Sequence, residues 1–253
     1  MLTFSEAQVM AWINPLLWPA IRVLALFMTM PVLSRRNVPL RLRIALAFLI
    51  VLCAQSSLPE VPVIALDSAQ GFLTVVQQLL IGISMGFAAR MVFAAVEYAG
   101  ELIGLQMGLS YAGFFDPATG GQTNAVSRFF EITVSWLFIV INGHLLMVAA
   151  VVQSFHAFPV GPEPFAFLRE MQPQLWGAEI FRLGLWIALP VIAMLLFVNL
   201  ILGIVSRVAQ QMNVFAIGFP ITVSTGLLGI LFTLPMMSVP FTVALEQMLE
   251  AFQ

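Results

Sequence analysis

Lysine is absent from these 253 residues; all ten positive side chains are arginine, and only twelve acids oppose them. Charged residues make up 9% of the chain, where a soluble domain carries about 25%. So few charges cannot clothe a globular surface in water, and a net charge of −2 gives no electrostatic footprint for nucleic acid. The single cysteine, Cys53, lies inside an apolar run, which excludes an intrachain disulfide and a cysteine-built metal site. The two histidines, His144 and His156, have no cluster of Cys, Asp or Glu beside them, so neither a metal site nor a catalytic dyad is visible. The bland reading of each is a hydrogen-bonding role between helices. No GxxxxGK[ST] phosphate loop occurs, hence no internal ATPase, and no Ser or Cys sits in a nucleophile motif. The N-terminus has neither the basic region nor the small-residue cleavage site of a signal peptide, so the first apolar segment is expected to remain in the mature chain.

What is present is hydrophobic length. Apolar residues make up 61% of the chain, and its mean hydropathy is +1.02. These values describe a polytopic all-α integral membrane protein. Six long, partly broken hydrophobic helices are expected, near residues 7–33, 44–54, 71–110, 129–155, 180–205 and 214–234, within a single membrane domain and without a sequence repeat. Asn14-Pro15 and Pro19 interrupt the first, and Gly218-Phe219-Pro220 the last. Arg22 sits inside the first, where an ionisable group needs a partner or a route to water. The second is short for a span of about 20 residues, whereas the third, if one helix, reaches roughly 58 Å at 1.5 Å per residue.

The arginines of the first loop (Arg35, Arg36, Arg41, Arg43), Arg90 and Arg128, and Arg207 assign those ends to the cytoplasmic side, leaving both termini outside. Arg169 and Arg182 run against that scheme, although Glu163, Glu170 and Glu179 accompany them.

The stretch from Glu97 to Glu131 stands apart. Gly100, Gly104 and Gly108 recur every four residues and share a helix face with Gly82, Gly86 and Arg90. A ladder of this kind lets a second backbone come close. Glu97 and Glu101 lie within about 40° of it on a 3.6-residue wheel. Arg90, Glu97, Glu101 and Glu131 are therefore either a charge network along a hydrated path or helix-end charges snorkelling to water. After the ladder, Tyr111, Gly113, Phe114, Phe115, Asp116, Pro117, Gly120 and Gly121 form a loop of turn residues and aromatics. Its phenyl groups either anchor in the membrane interface or fold back as a gasket in a pore. Met107 and Met171 border irregular regions where a flexible apolar side chain can seal a gap.

Four blocks carry a resemblance over essentially the whole chain: RVLALFMTMPVLSRRNVPLRLRIALAF, GELIGLQMGLSYAGFFDP, NGHLLMVAAVVQSF and SRVAQQMNVFAIGFPITVSTGLLG. Together they resemble the FliR family of flagellar biosynthesis proteins, to which SctT-type subunits of type III secretion systems are close relatives. Asn142, Gly143, His144, Arg207, Asn213, Phe215, Gly218 and Pro220 match the family's motifs; Gln210-Gln211 ahead of Met212-Asn213 departs from its usual Pro-Gln. The resemblance implies a non-catalytic subunit of the flagellar type III export gate in the bacterial inner membrane, at the basal body. It implies assembly with FliP and FliQ around a channel for unfolded flagellar proteins, FlhB and FlhA associating, with no cofactor. Helical hairpins would pack there into a pseudo-helical ring, and the loop at about 110–123 would be its plug. The competing readings are a secondary transporter of a small solute, with a site at a helix broken near Pro220, and an intramembrane hydrolase dependent on His144.

Overall fold

The structure, a computed structural model, describes residues 6–109, 124–161, 163, 165, 167, 176–209 and 214–252. Among them every regular element is helical: α1 Glu6–Thr29, α2 Leu40–Ala54, α3 Ala69–Gln106, α4 Ala125–Val140, α5 Gly143–Ala157, α6 Trp176–Val208, α7 Val214–Thr233 and α8 Ser238–Glu250. Short 3-10 turns cover Gln55–Ser57 and Leu234–Met237. Five stretches are long and apolar enough to cross a membrane, or six if α4 and α5 count as one.

Three differences from the sequence reading have a backbone reason. The apolar segment 129–155 is divided at Asn142, whose φ of 58° is left-handed and starts α5 afresh. Asn tolerates that region better than any residue except Gly, and here it outweighs continuous hydrophobicity. Conversely, Pro15 and Pro19 lie inside α1, Pro190 inside α6 and Pro220 inside α7 without ending them. A proline deletes one backbone bond, while a helix broken in an apolar setting leaves several groups unpaired, so the chain continues. Finally, α2 starts at Leu40 behind an extended Pro39 (φ −66°, ψ 143°), which brings Arg41 and Arg43 into the helix.

The chain forms two compact units, and α3 contributes to both. The first holds residues up to Met91, Asn142–Trp176 and Leu245–Gln253. Its core joins Trp18 and Leu26 of α1, and Met30 just beyond its end, to Ile81 and Met85 of α3 and Val151 of α5. Close approach of α1 to α3 depends on Gly82 and Gly86: a Cβ at Gly86 would stand 2.8 Å from Thr29 Cβ, and one at Gly82 would stand 2.7 Å from Ala25 Cβ. The second unit holds Val92–Ile141 and Gly177–Ala244. Phe93 of α3 is its aromatic hub, edge-on to Phe138 of α4 at 5.4 Å and to Phe241 of α8 at 5.6 Å. Much of α6 and α7 remains bare: Trp186 is 69% exposed and Phe232 72%. Apolar surface on that scale is at home against lipid or other chains, not water.

Candidate functional site

In the second unit, the described residues on either side of 110–123 are fixed by close contacts. Gly100 and Gly104 face α4: a Cβ on Gly100 would lie 2.8 Å from Ser127 Cα, and one on Gly104 would lie 2.5 Å from Asn124 Cγ. Asn124 fills that space and does two jobs. Its Oδ1 accepts from the Ser127 amide at 2.7 Å, capping α4, and its Nδ2 donates to the Glu101 carbonyl at 3.2 Å. Ser127 Oγ donates to the Glu97 carbonyl at 3.0 Å. Backbone groups of Glu97 and Glu101 are thus what α4 reads.

On the other side of the segment, α3 stops where Gly108 turns to a φ of 81°, a conformation suited to glycine. The Met107 carbonyl there accepts from Thr222 Oγ1 of α7 at 3.2 Å. Gly226, one turn further along α7, leaves room for the Met107 side chain, whose Cγ would sit 2.5 Å from a Cβ at that position. Gly184 of α6 receives the Ala95 carbonyl and the Tyr98 ring in the same way, and Tyr98 stacks edge-on to Phe181 at 5.3 Å. The frame from which the segment departs therefore uses α3, α4 and α7. Tyr111, Gly113, Phe114, Phe115, Asp116, Pro117, Gly120 and Gly121 lie outside the described residues, as do Met171 and Asn213.

The charged candidates are divided between the two units. Arg90 belongs to the first unit, is exposed, and donates from Nη2 to Ser34 Oγ at 3.0 Å. Glu131, in the second unit, accepts from Arg128 at 2.9 Å one turn away on α4. Arg207 is exposed near the end of α6, Gly218 is buried in α7, Pro220 is exposed, and Phe215 contributes to the first turn of α7. At the break between α4 and α5, Gly143 is buried and His144 is half-buried, its Nδ1 without a hydrogen-bond partner. His156 Nε2 donates to the Ser57 carbonyl at 3.0 Å. No group of three His, Cys, Asp or Glu able to hold a metal occurs among the described residues.

The first unit contains a polar cluster that sequence reasoning did not assemble. Arg22 is fully buried. Its Nε donates to Gln78 Oε1 at 2.8 Å, its Nη1 to the Ser154 carbonyl at 2.8 Å and to Ser154 Oγ at 3.0 Å, and its Nη2 to the Phe158 carbonyl at 2.8 Å. The guanidinium carbon lies 3.8 Å from the centroid of the Phe155 ring. Gln78 Nε2 donates to Gln77 Oε1 at 2.7 Å; that oxygen also accepts from the Gly161 amide at 3.0 Å, while Gln77 Nε2 donates to the Pro159 carbonyl at 3.2 Å. A chain of neutral acceptors thus ties α1 and α3 to the turn that follows α5. Arg22 inside an apolar segment was one signal of it in the sequence, and the adjacent glutamines at 77 and 78 in another apolar run were a second.

Comparison with known proteins accounts for both units at once. The sequence model of the family described as bacterial export proteins, family 1, matches residues 13–248. The flagellar biosynthetic protein FliR of Escherichia coli (strain K12) is 43% identical over 232 residues, covering 90% of this chain and 87% of that protein. Its namesake in Pectobacterium carotovorum is 39% identical over 236 residues, covering 93% and 90%. That of Bacillus subtilis (strain 168) is 33% identical over 211 residues, covering 81% and 80%. With its apolar helices and this similarity along nearly its full length, the chain is a multi-pass membrane protein that belongs to the FliR family of bacterial export proteins.

Proposed function

We propose that the chain is a core, non-catalytic subunit of the flagellar type III export gate, in the bacterial inner membrane at the basal body. There it forms, with FliP and FliQ, the channel that passes unfolded flagellar proteins, with FlhB and FlhA associated. The observation that carries this reading is the 43% identity, over 90% of the chain, to a flagellar biosynthetic protein. Bare apolar faces on α6 and α7 suit a subunit whose surfaces are covered by other chains and by lipid. Residues 110–123 are the gate's plug in this reading. Support comes from the frame around them: Asn124 lodged against Gly104, and Met107 held by Thr222 and Gly226, fix the described residues on either side. Phe114 and Phe115 then obstruct the lumen at rest, and Gly113, Gly120 and Gly121 allow the segment to swing aside.

A solute-transporter reading draws no support from α7. Its expected site is a helix interrupted near Pro220, and α7 runs unbroken from Val214 to Thr233. The export reading is tested by secretion. Removing this chain from its flagellated host stops flagellar proteins from reaching the medium, and restoring it restores them; undiminished secretion without the chain overturns the reading.

A further inference from the structure

The turn joining α1 to α2 is held at unusual expense, and what it displays is arginine. Val32 adopts a φ of 69°, a left-handed conformation in which a β-branched side chain is strained. Arg43, buried in α2, reaches back with Nη2 to the carbonyls of Arg35 at 2.8 Å and Val38 at 3.1 Å, while its Nη1 contacts Met28 Sδ at 3.3 Å. From α3, Arg90 donates to Ser34 Oγ at 3.0 Å. One cation is spent inside to fix the turn's shape. Arg35, Arg36, Arg41 and Arg90 remain exposed around it.

The α1–α2 turn and α2 bring no acid with them, and on α3 the acids that follow Arg90 are Glu97 and Glu101. No Asp or Glu occurs between Glu6 and Glu60, nor between Asp67 and Glu97. The first turn of α2 adds to the positive field, for it has no acidic residue and no side-chain cap on its amides. Cations grouped at an uncapped helix N-terminus form a site for an external anion.

Hydrophobicity fixes where that anion resides. Leu40–Ser57 has the length and hydropathy of a membrane span, and only 17% of it is buried. Leu42, Ile44, Phe48, Leu49 and Leu52 face outward beneath the arginines. At 1.5 Å per residue this span is about 27 Å long, close to the thickness of a bilayer's hydrocarbon core. Its arginine end therefore falls at headgroup depth when its apolar flank is in lipid. The opposite end carries Gln55, Ser56, Ser57 and Glu60, so the two ends differ in charge.

We infer that the α1–α2 turn is a binding site for the phosphate headgroup of an anionic phospholipid, with Arg36 and Arg41 as its principal ligands and the outer face of α2 as the bed for the acyl chains. Arg35 and Arg90 add to the field, and Arg43 shapes the site from behind. The site seats this face of the protein in the leaflet that the arginine bias marks as cytoplasmic.

The test uses the full chain, in whatever complex it purifies with in mild detergent. The protein is incubated with equal amounts of phosphatidylglycerol and phosphatidylcholine, and retained lipid is counted by native mass spectrometry. Wild type retains phosphatidylglycerol over phosphatidylcholine by about tenfold. Arg36→Gln with Arg41→Gln brings the two lipids to parity, whereas Arg36→Lys with Arg41→Lys keeps most of the preference. Arg207→Gln, an exposed arginine of the other unit, leaves it unchanged. Parity in the wild type, or an undiminished preference in the double glutamine variant, overturns the proposal. So does loss of a co-purifying acidic protein from that variant with its lipid preference intact, because the occupant is then a protein.

Discussion

Arg22 Nη1 donates to the Ser154 carbonyl at 2.8 Å, so a buried cation of α1 is met by the C-terminal end of α5. None of the four oxygens that the guanidinium reaches belongs to a carboxylate. Carbonyls at a helix C-terminus carry partial negative charge, and two of them, Ser154 and Phe158, close that end of α5. Charge is balanced by geometry that exists only in the folded unit. The arginine therefore works as a registration pin between helices 132 residues apart in sequence.

Removing the pin leaves the Gln78 side chain and the α5 carbonyls without their donor. Arg22→Met is expected to destabilise the protein by on the order of 3 kcal/mol. Arg22→Lys loses less, because an ammonium keeps the charge but lacks the planar fork that serves three residues. Thermal unfolding in detergent, followed by tryptophan fluorescence, checks this ordering; equal midpoints for wild type and Arg22→Met would remove the pin from the account.

Gly104 and Asn124 form a fit with no slack. Gly104→Val should cost about 2 kcal/mol by driving the new side chain into Asn124. Gly203 offers the matched control, since a Cβ there meets nothing within 4 Å. Gly203→Ala should leave the unfolding midpoint unchanged or slightly raised. Equal effects at the two positions would show that α3 and α4 do not meet in this way.

At the end of α3, Gly108 has a φ of 81°. Gly108→Ala places a Cβ in the left-handed region at a cost of about 1 kcal/mol. The same substitution should alter gating more than stability, because it moves the attachment point of residues 110–123. Channel conductance and the unfolding midpoint, measured on the same preparation, separate the two effects. A full-strength stability loss with unaltered conductance would make Gly108 a simple helix stop.

Deleting residues 113–120 should raise ion leakage through the assembled gate while the complex still forms. The deletion spares Met107, Asn124 and their contacts, so the frame is predicted to stand without its plug. Unchanged conductance in an intact complex would count against the plug.

Helical class, the overlong α3 and the family were legible in the sequence because each rests on local pattern: apolar length, four-residue glycine spacing and contiguous motifs. Arg22 was legible as a problem but not as a solution. Ser154 and Phe158 lie far along the chain, and carbonyl acceptors have no residue signature. Prolines misled at positions 15, 19 and 220, since the rule that proline ends helices presumes water ready to solvate a broken end. Asn142 misled the other way: a polar residue inside an apolar run looks tolerable, yet its left-handed backbone divides the segment. Arg43 looked like one more topology marker among the loop arginines, and burial made it a scaffold instead.

The most direct test of the account is the composition of the chain's complex, tagged and purified in mild detergent from its native membrane. Intact mass measurement should find it with small hydrophobic FliP-like and FliQ-like chains, in an assembly far heavier than its own 27.8 kDa. A monomer or a pure homo-oligomer under the same gentle conditions would contradict the export-gate reading and return the solute transporter to the front.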